Sequence, residues 1–280
     1  MGSRYKALNA FFLAAALAAA PVAAAAAPAR ISDAEAAAVQ LAGSRGTLIY
    51  AYDQAAWHGT DDMIAKMPKA AETVGGWIVD GPSDAPEIVF YDRDPTGPHA
   101  LYTARFKDGK LASSRVLTAA DDRTLSAARL AMITAREAAA KALKTAQVNR
   151  CKEQPFNTVV LPGTGAEPAL VYFLSPQTSK DAIPMGGHYR VEVAADGKTK
   201  LRPFTKSCLE MPFAEAGKKP GALVVSHLLD PTPTEVHVFS SLAAGLPIYV
   251  ATPEGRRIWV VNGTRVDLLD KDKARKPRTR

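Results

Sequence analysis

Three turn dipeptides constrain the fold of this chain more than any other feature of its sequence. Asp108-Gly109, Asp196-Gly197 and Asn262-Gly263 each separate two runs of strand-forming residues. Asp-Gly and Asn-Gly favour the two-residue turns that join antiparallel strands, because the backbone there needs positive φ angles. The sequence therefore predicts a fold in which antiparallel hairpins supply much of the sheet.

Apolar runs of strand length fill most of the chain around these turns. In the first half they predict strands at residues 48–52, 76–80, 87–92, 100–107 and 111–117. In the second half they predict strands at residues 159–161, 169–174, 189–193, 200–205, 223–227, 235–239, 248–252, 257–261 and 264–268. Short runs of β-branched and aromatic residues bounded by turn residues are typical of such strands.

Two segments have helical signals instead. Ser32 is a good N-cap and Gly43 a good C-terminal signal for a short N-terminal helix at 33–42. Asp121 precedes apolar residues at near-helical spacing and predicts one long central helix at about 121–147. The expected fold class is therefore α+β, mainly antiparallel β-sheet with these two helices.

The first 29 residues have the pattern of a secretion signal. Arg4 and Lys6 precede an apolar stretch of 14 residues, which is shorter than the ~20 residues needed to span a bilayer. Ala27-Pro28-Ala29 fits a cleavage site, so the mature chain is expected to begin at Arg30. An uncleaved N-terminal anchor is the alternative. The sequence predicts a periplasmic or secreted bacterial protein with no transmembrane segment after cleavage.

Cys151 and Cys208 are the only two cysteines of the chain. An even number of cysteines in an exported protein favours a disulfide, and neither belongs to a CxxC pair that would favour a metal site or a catalytic thiol. Closing a loop of this length would stabilise the fold by about 4 kcal/mol.

The predicted elements divide the mature chain into lobes. An N-terminal α+β lobe covers residues 30–118, a connecting helix lies within 119–150, and a C-terminal, mainly antiparallel β lobe covers 151–270. The hairpin around Asp108-Gly109 and the one around Asp196-Gly197 have similar patterns, which reflect either an internal duplication or only the chemistry that hairpins share. The basic tail, 271–280, is expected to be disordered because it combines dense like charge with a proline.

The net charge of +7 comes from the ends of the chain, since six basic residues lie in the tail. Residues 30–270 contain 27 bases and 27 acids, so the folded part offers no evidence of a nucleic-acid surface. The tail could dock on an anionic membrane or envelope polymer, or simply remain solvated. Another envelope protein is the other partner that the sequence suggests.

No GxSxG, P-loop, HExxH or GxGxxG motif occurs, but one segment concentrates histidine. If 223–228 and 234–239 form a hairpin around residue 231, His227 faces Glu235 and His237 lies diagonally on the same face. His188 could add a fourth ligand. This set would suit Zn²⁺ or another divalent metal. Without a metal it would be an acid/base pair, or only the polar face of a half-buried sheet.

A second, weaker candidate surrounds Trp57. Thr60 is interpreted as the N-cap of a short helical turn at 61–66, which accounts for the polar residues there without a ligand. Trp57 and Trp77 could line a groove or could be core residues.

These observations lead to two hypotheses about function. The first is a non-enzymatic binding or interaction module of the periplasm or cell envelope, without a cofactor. The alternative is a metal-dependent hydrolase centred on His227, Glu235 and His237.

Overall fold

The computed structural model describes residues 31–205, 207–212, 220–253 and 257–269. The predicted secretion signal and the basic tail lie outside the described residues. Among the residues that are described, no helix is both long enough and apolar enough to cross a membrane.

Helices and antiparallel sheets both contribute, so the predicted α+β class is confirmed. The helices are α1 (Asp33–Lys66), α2 (Ala70–Thr73), α3 (Ala127–Thr145) and α4 (Glu235–Ala244). The strands are β1 (Val74–Asp80), β2 (Glu87–Asp92), β3 (Ala100–Lys107), β4 (Lys110–Val116), β5 (Asn157–Leu161), β6 (Ala169–Leu174), β7 (Ala182–Pro184), β8 (Tyr189–Val193), β9 (Thr199–Pro203), β10 (Glu210–Pro212), β11 (Leu223–Ser226), β12 (Ile248–Thr252), β13 (Arg257–Asn262) and β14 (Arg265–Leu268).

The strands form three four-stranded sheets and one small ribbon. The first sheet has the order β1-β2-β3-β4 and the second the order β5-β6-β8-β9, and both are antiparallel meanders. The third sheet has the order β11-β12-β13-β14, in which β11 and β12 run parallel. β7 and β10 pair as the ribbon. The hairpins predicted at Asp108-Gly109, Asp196-Gly197 and Asn262-Gly263 join β3 to β4, β8 to β9 and β13 to β14.

The predicted N-terminal helix begins correctly at Ser32, whose side chain accepts a hydrogen bond from the Glu35 N–H. Its predicted end is wrong. α1 runs on for 34 residues through Gly43, through the predicted strand at 48–52 and through the predicted turn at 61–66. The buried positions of α1 recur every three or four residues, which is the helical period. They are Ala42, Gly43, Gly46, Ile49, Tyr52, Ala55, Gly59 and Met63.

The glycines of α1 allow close packing rather than ending the helix. A Cβ on Gly46 would lie 2.5 Å from the Val238 Cβ and 2.7 Å from the Glu235 carbonyl oxygen. A Cβ on Gly59 would lie 2.7 Å from the Ile88 Cγ2. α1 therefore approaches α4 and the first sheet more closely than any residue with a side chain would permit.

The predicted central helix is shorter than expected. α3 begins after the N-cap Ser126, and Asp121 instead accepts hydrogen bonds from the Thr118 backbone N–H and hydroxyl in the preceding turn. The Arg129 guanidinium contacts Asp80 of β1 and Glu87 of β2, each at 2.8 Å. α3 is thereby held across the first sheet as well as packed on the second.

The first two sheets lie side by side, with β1 next to β5. α3 covers one face of both sheets, and α1 and α4 cover the opposite face. The third sheet packs on the far side of α4, where Val238 contacts a core that contains Trp259. α4 is therefore buried between sheets on both sides, so its polar residues Glu235, His237, Ser240 and Ser241 are buried together with its apolar ones.

The predicted disulfide between Cys151 and Cys208 is confirmed. It joins the segment after α3 to the segment before β10. The Cys151 sulfur packs against Gly187, which has a φ of 70° and leaves no room for a side chain. The bridge thus packs against the residue that precedes His188, just before the start of β8.

Candidate functional site

The histidine segment does not form the predicted hairpin. Thr234 is the N-cap of α4 and Gly245, with a φ of 63°, ends the helix, so Glu235 and His237 lie on a helix rather than on a strand. The alternation of valines suggested a strand, but it arises because α4 is buried on both faces. The direct pairing of His227 with Glu235 is therefore wrong.

Glu235 anchors the start of α4 to the second sheet. Its Oε1 accepts a hydrogen bond from the Tyr172 hydroxyl at 2.9 Å and forms an ion pair with the Arg190 guanidinium at 2.7 Å. All three side chains are buried. Burial, together with the charge of Glu235, raises the pKa of Tyr172, so this hydroxyl stays protonated. Glu235 is a structural residue in this arrangement.

His188 also has a structural role. Its Nδ1 accepts a hydrogen bond from the Ser175 N–H at 3.1 Å, so Nε2 carries the proton and donates to the Pro184 carbonyl at 3.1 Å. Burial lowers the pKa of His188 to about 4. With both ring nitrogens engaged by the backbone, this imidazole has no lone pair for a metal ion.

His237 presents a hydrogen-bond donor. The backbone N–H of Thr234 can only donate, and it lies 3.1 Å from His237 Nδ1, so Nδ1 is the acceptor and Nε2 carries the proton. Burial lowers the pKa of His237 to about 3, so the ring is neutral. Among the described residues, its Nε2–H has no hydrogen-bond acceptor.

His227 is held by a carboxylate. Its Nε2 lies 2.7 Å from Asp230 Oδ2, while Arg202 contacts Asp230 Oδ1 at 2.5 Å. Although burial acts to raise it, these two partners keep the pKa of Asp230 below its ordinary value. His227 therefore donates from Nε2 to this carboxylate, and its ring meets that of His237 edge to face, with 4.7 Å between the ring centroids.

His227 and His237 line a cavity of about 440 Å³ between α4, β11 and the segment after β9. The Ser240 hydroxyl, one turn beyond His237 on α4, also lines it; it is completely buried and has no hydrogen-bond partner among the described residues. The rest of the wall is largely apolar and includes Met185, Phe204, Val225, Leu228, Leu229 and Val236. We call this cavity the histidine pocket.

The rim of the histidine pocket is unusually apolar for a surface. Leu228 is 73% exposed, and Leu209 and Leu229 are both more than 40% exposed. Leu209 directly precedes β10, and Leu228 and Leu229 follow β11. All three line the cavity. Clustered exposed apolar side chains at the mouth of a cavity are typical of a binding site.

The structure brings together only part of the predicted metal-ligand set. His227 and His237 are neighbours, but Glu235 is paired with Arg190 and His188 is saturated by the backbone. Within the described ranges, no group of three His, Cys, Asp or Glu residues is arranged to hold a metal ion. Binding of Zn²⁺ or another divalent metal stays a prediction for direct measurement.

Sequence reasoning missed two polar members of the site. Asp230 is absent from the predicted ligand set, although it lies three residues after His227 and its carboxylate contacts the His227 ring. Ser240 was not singled out, because its position one helical turn from His237 has meaning only if α4 is helical. The capping residue Thr234 and the terminal Gly245 were the available signals for that helix.

Trp57 and Trp77 line a common cavity. This agrees with the predicted alternative in which the two tryptophans line a groove. Thr60, in contrast, is not an N-cap. It lies inside α1, and its hydroxyl donates to the Ala56 carbonyl at 2.6 Å.

The fold and the pocket together define a disulfide-bonded α+β protein with a partly open, mostly apolar cavity that contains a few polar groups. Comparison with protein-family models, with curated proteins and with solved structures finds no match. The function is therefore argued from this geometry.

Proposed function

We propose that this chain is an exported, non-enzymatic binding protein that holds a small amphipathic molecule in the histidine pocket. The observation that carries the proposal is the Ser240 hydroxyl, which is buried in the wall of a largely apolar cavity and has no hydrogen-bond partner among the described residues. His237, one turn away on α4, lines the same cavity. This arrangement favours a ligand with an apolar body and a carbonyl or carboxyl oxygen.

The energetics favour such a ligand. A buried hydroxyl without a partner costs about 1–3 kcal/mol, and a ligand oxygen that accepts from it would recover this cost. The aliphatic and aromatic wall would contribute by removing apolar ligand surface from water. The leucines at the rim would cover the end of a ligand longer than the cavity.

Export is supported by two independent features. Residues 1–29 have the three-part pattern of a secretion signal, and Cys151 and Cys208 lie within disulfide distance. Structural disulfides persist in oxidising compartments such as the bacterial periplasm. Expression of the full chain in a bacterium should give a periplasmic product whose N-terminal sequence begins at Arg30. An unprocessed cytoplasmic or membrane-anchored product would contradict export.

A fluorescent fatty-acid analogue, 11-(dansylamino)undecanoic acid, tests the pocket on the exported protein. Saturable binding is expected, with an affinity about tenfold lower in Ser240→Ala and in His237→Asn. Asn retains an acceptor for the Thr234 N–H but lacks the donor that faces the cavity. Asp84→Asn, which changes an exposed loop carboxylate outside the pocket, is the matched control and should bind normally. Absence of saturable binding, or equal affinity in all variants, would contradict the proposal.

A hydrolase is the second candidate, and one observation favours it. The Asp230 carboxylate contacts His227 Nε2, and His227 lines the pocket, which is the arrangement of a general base positioned by a carboxylate. The metal-dependent form additionally requires a bound ion. Elemental analysis of the exported protein and hydrolysis of p-nitrophenyl butyrate, each with a His227→Gln control, separate the candidates. Stoichiometric metal, or ester hydrolysis that disappears in His227→Gln, would favour the enzyme.

A further inference from the structure

Two further cavities adjoin α1, and they share no lining residue with the histidine pocket. One has a volume of about 570 Å³ and the other of about 580 Å³. Asp53, Trp57 and Asn157 line both, so the two cavities meet at these residues. Together they form an elongated groove, which we call the Trp57 groove.

Trp57 is the most unusual residue of this groove, because 59% of its surface is exposed. The two other tryptophans differ from it, since Trp259 is completely buried and Trp77 is partly buried beneath Arg136. The His58 ring is stacked on the Trp57 indole, with 5.1 Å between the ring centroids and an angle of 11° between the ring planes. An exposed aromatic ring that is braced in this way offers a flat apolar surface for a ligand.

The groups next to Trp57 are planar and form hydrogen bonds. The Asn157 side-chain amide donates to Asp53 Oδ1 at 3.1 Å, and Gln54 is a second hydrogen-bond partner of this carboxyl group. Burial raises the pKa of Asp53 to about 6, although both partners act to lower it. A carboxylate and two carboxamides thus stand beside the indole and offer donors and acceptors in a partly desolvated position.

The remaining lining combines apolar side chains with polar and charged ones. The segment after β6 contributes Gln177, Thr178, Ser179 and Lys180 to one cavity, and Arg93 lines the other. Lys180 and Arg93 disfavour an organic cation, and Asp53 disfavours an anion. The polar groups beside Trp57 and in the segment after β6 favour a ligand that combines apolar faces with hydrogen-bonding groups.

From this combination we infer that the Trp57 groove binds a neutral saccharide chain. The apolar face of one sugar ring would stack on the Trp57 indole, and its hydroxyls would exchange hydrogen bonds with Asp53, Gln54 and Asn157. The adjoining cavities would accept the neighbouring rings of the chain. This site is separate from the histidine pocket and does not depend on the function proposed for that pocket.

The test uses three neutral tetrasaccharides with the exported protein: cellotetraose, maltotetraose and tetra-N-acetylchitotetraose. Calorimetry should show saturable binding of at least one, with a change in tryptophan fluorescence. Trp57→Ala should weaken this binding by about tenfold or more, as expected when a central aromatic contact is removed. Trp57→Phe should retain part of the affinity because it keeps an aromatic face.

Two variants serve as controls. Leu41→Ala changes another exposed apolar residue of α1 that lies outside both cavities, and it should bind as the unaltered protein does. Ser240→Ala affects only the histidine pocket and should also leave saccharide binding unchanged. Circular dichroism checks that Trp57→Ala is folded. Failure of all three saccharides to bind, equal affinity in folded Trp57→Ala, or displacement of the saccharide by the dansyl fatty acid would overturn the inference.

Discussion

The backbone N–H of Thr234 donates a hydrogen bond to Nδ1 of His237 at 3.1 Å, one turn along α4. This contact caps the helix, and it also decides which nitrogen of His237 carries its proton. Because Nδ1 must accept, Nε2–H faces the histidine pocket as a donor. The same contact that begins the helix therefore determines the polarity of the candidate site.

The buried ion pair of Arg190 and Glu235 gives the first prediction. Glu235→Gln should lower the free energy of unfolding by about 3 kcal/mol, because breaking one partner leaves a buried guanidinium incompletely neutralised. Urea denaturation measures this change. Asp84→Asn disrupts an ion pair of the same 2.7 Å length that is exposed, and it should leave the urea midpoint unchanged. Equal effects of the two substitutions would contradict the structural role of Glu235.

The buried histidines predict a dependence of stability on pH. The pKa of His188 is about 4 and that of His237 about 3 in the folded chain, both below the ordinary 6.5. Between pH 6.5 and these lowered pKa values, the unfolded chain therefore binds more protons than the folded chain. Each neutral, buried histidine therefore costs about 1.4 kcal/mol of stability per pH unit as the pH falls below 6.5.

Asp53 acts in the opposite direction, since its pKa is raised to about 6 and the folded chain takes up that proton first as the pH falls. The net expectation is a loss of about 1.4 kcal/mol per pH unit between pH 6 and 4.5. Urea titrations at several pH values should show a steeper loss in Asp53→Asn and a flatter one in His237→Asn. A stability that is constant across this range in all three proteins would contradict the burial of these groups.

The crossing of α1 and α4 predicts an unusual response to alanine. At an exposed helical position, replacing glycine by alanine stabilises the helix by about 1 kcal/mol. Gly46→Ala should instead destabilise the protein by about 1–3 kcal/mol, because the added methyl group meets Val238. Thermal or urea denaturation measures the sign. Ser44→Ala on the exposed side of α1 is the control and should change stability little.

The disulfide should affect both stability and the histidine pocket. The double substitution Cys151→Ser/Cys208→Ser removes a cross-link that closes 57 residues and should lower the free energy of unfolding by about 4 kcal/mol. Ser207 and Leu209, the neighbours of Cys208, line the pocket, so affinity for the dansyl fatty acid should fall as well. Reduction of the unaltered protein should reproduce both effects. Unchanged affinity in the folded double variant would show that the bridge does not shape the pocket.

Local chemistry explains what could be predicted from the sequence. The meander β1 to β4 and the hairpins at Asp196-Gly197 and Asn262-Gly263 were predicted correctly, because alternation and turn residues act over a few neighbouring positions. The disulfide was predictable because only one pairing of two cysteines exists. His227 and His237 are neighbours, as predicted, but their predicted arrangement across a hairpin is wrong. That arrangement required residues 234–239 to be a strand, and they belong to α4 instead.

By itself, the sequence determined the hairpins, the α+β class and the cysteine pair, since these follow from short-range patterns or from simple counting. Only the tertiary structure decided that α1 continues through Gly43 and Gly46 and that α4 is a helix. The physical reason is close packing: these segments are buried against partners that are distant in the chain, where glycines permit close contact. The histidine pocket exists because that packing brings His227 and Ser240 together.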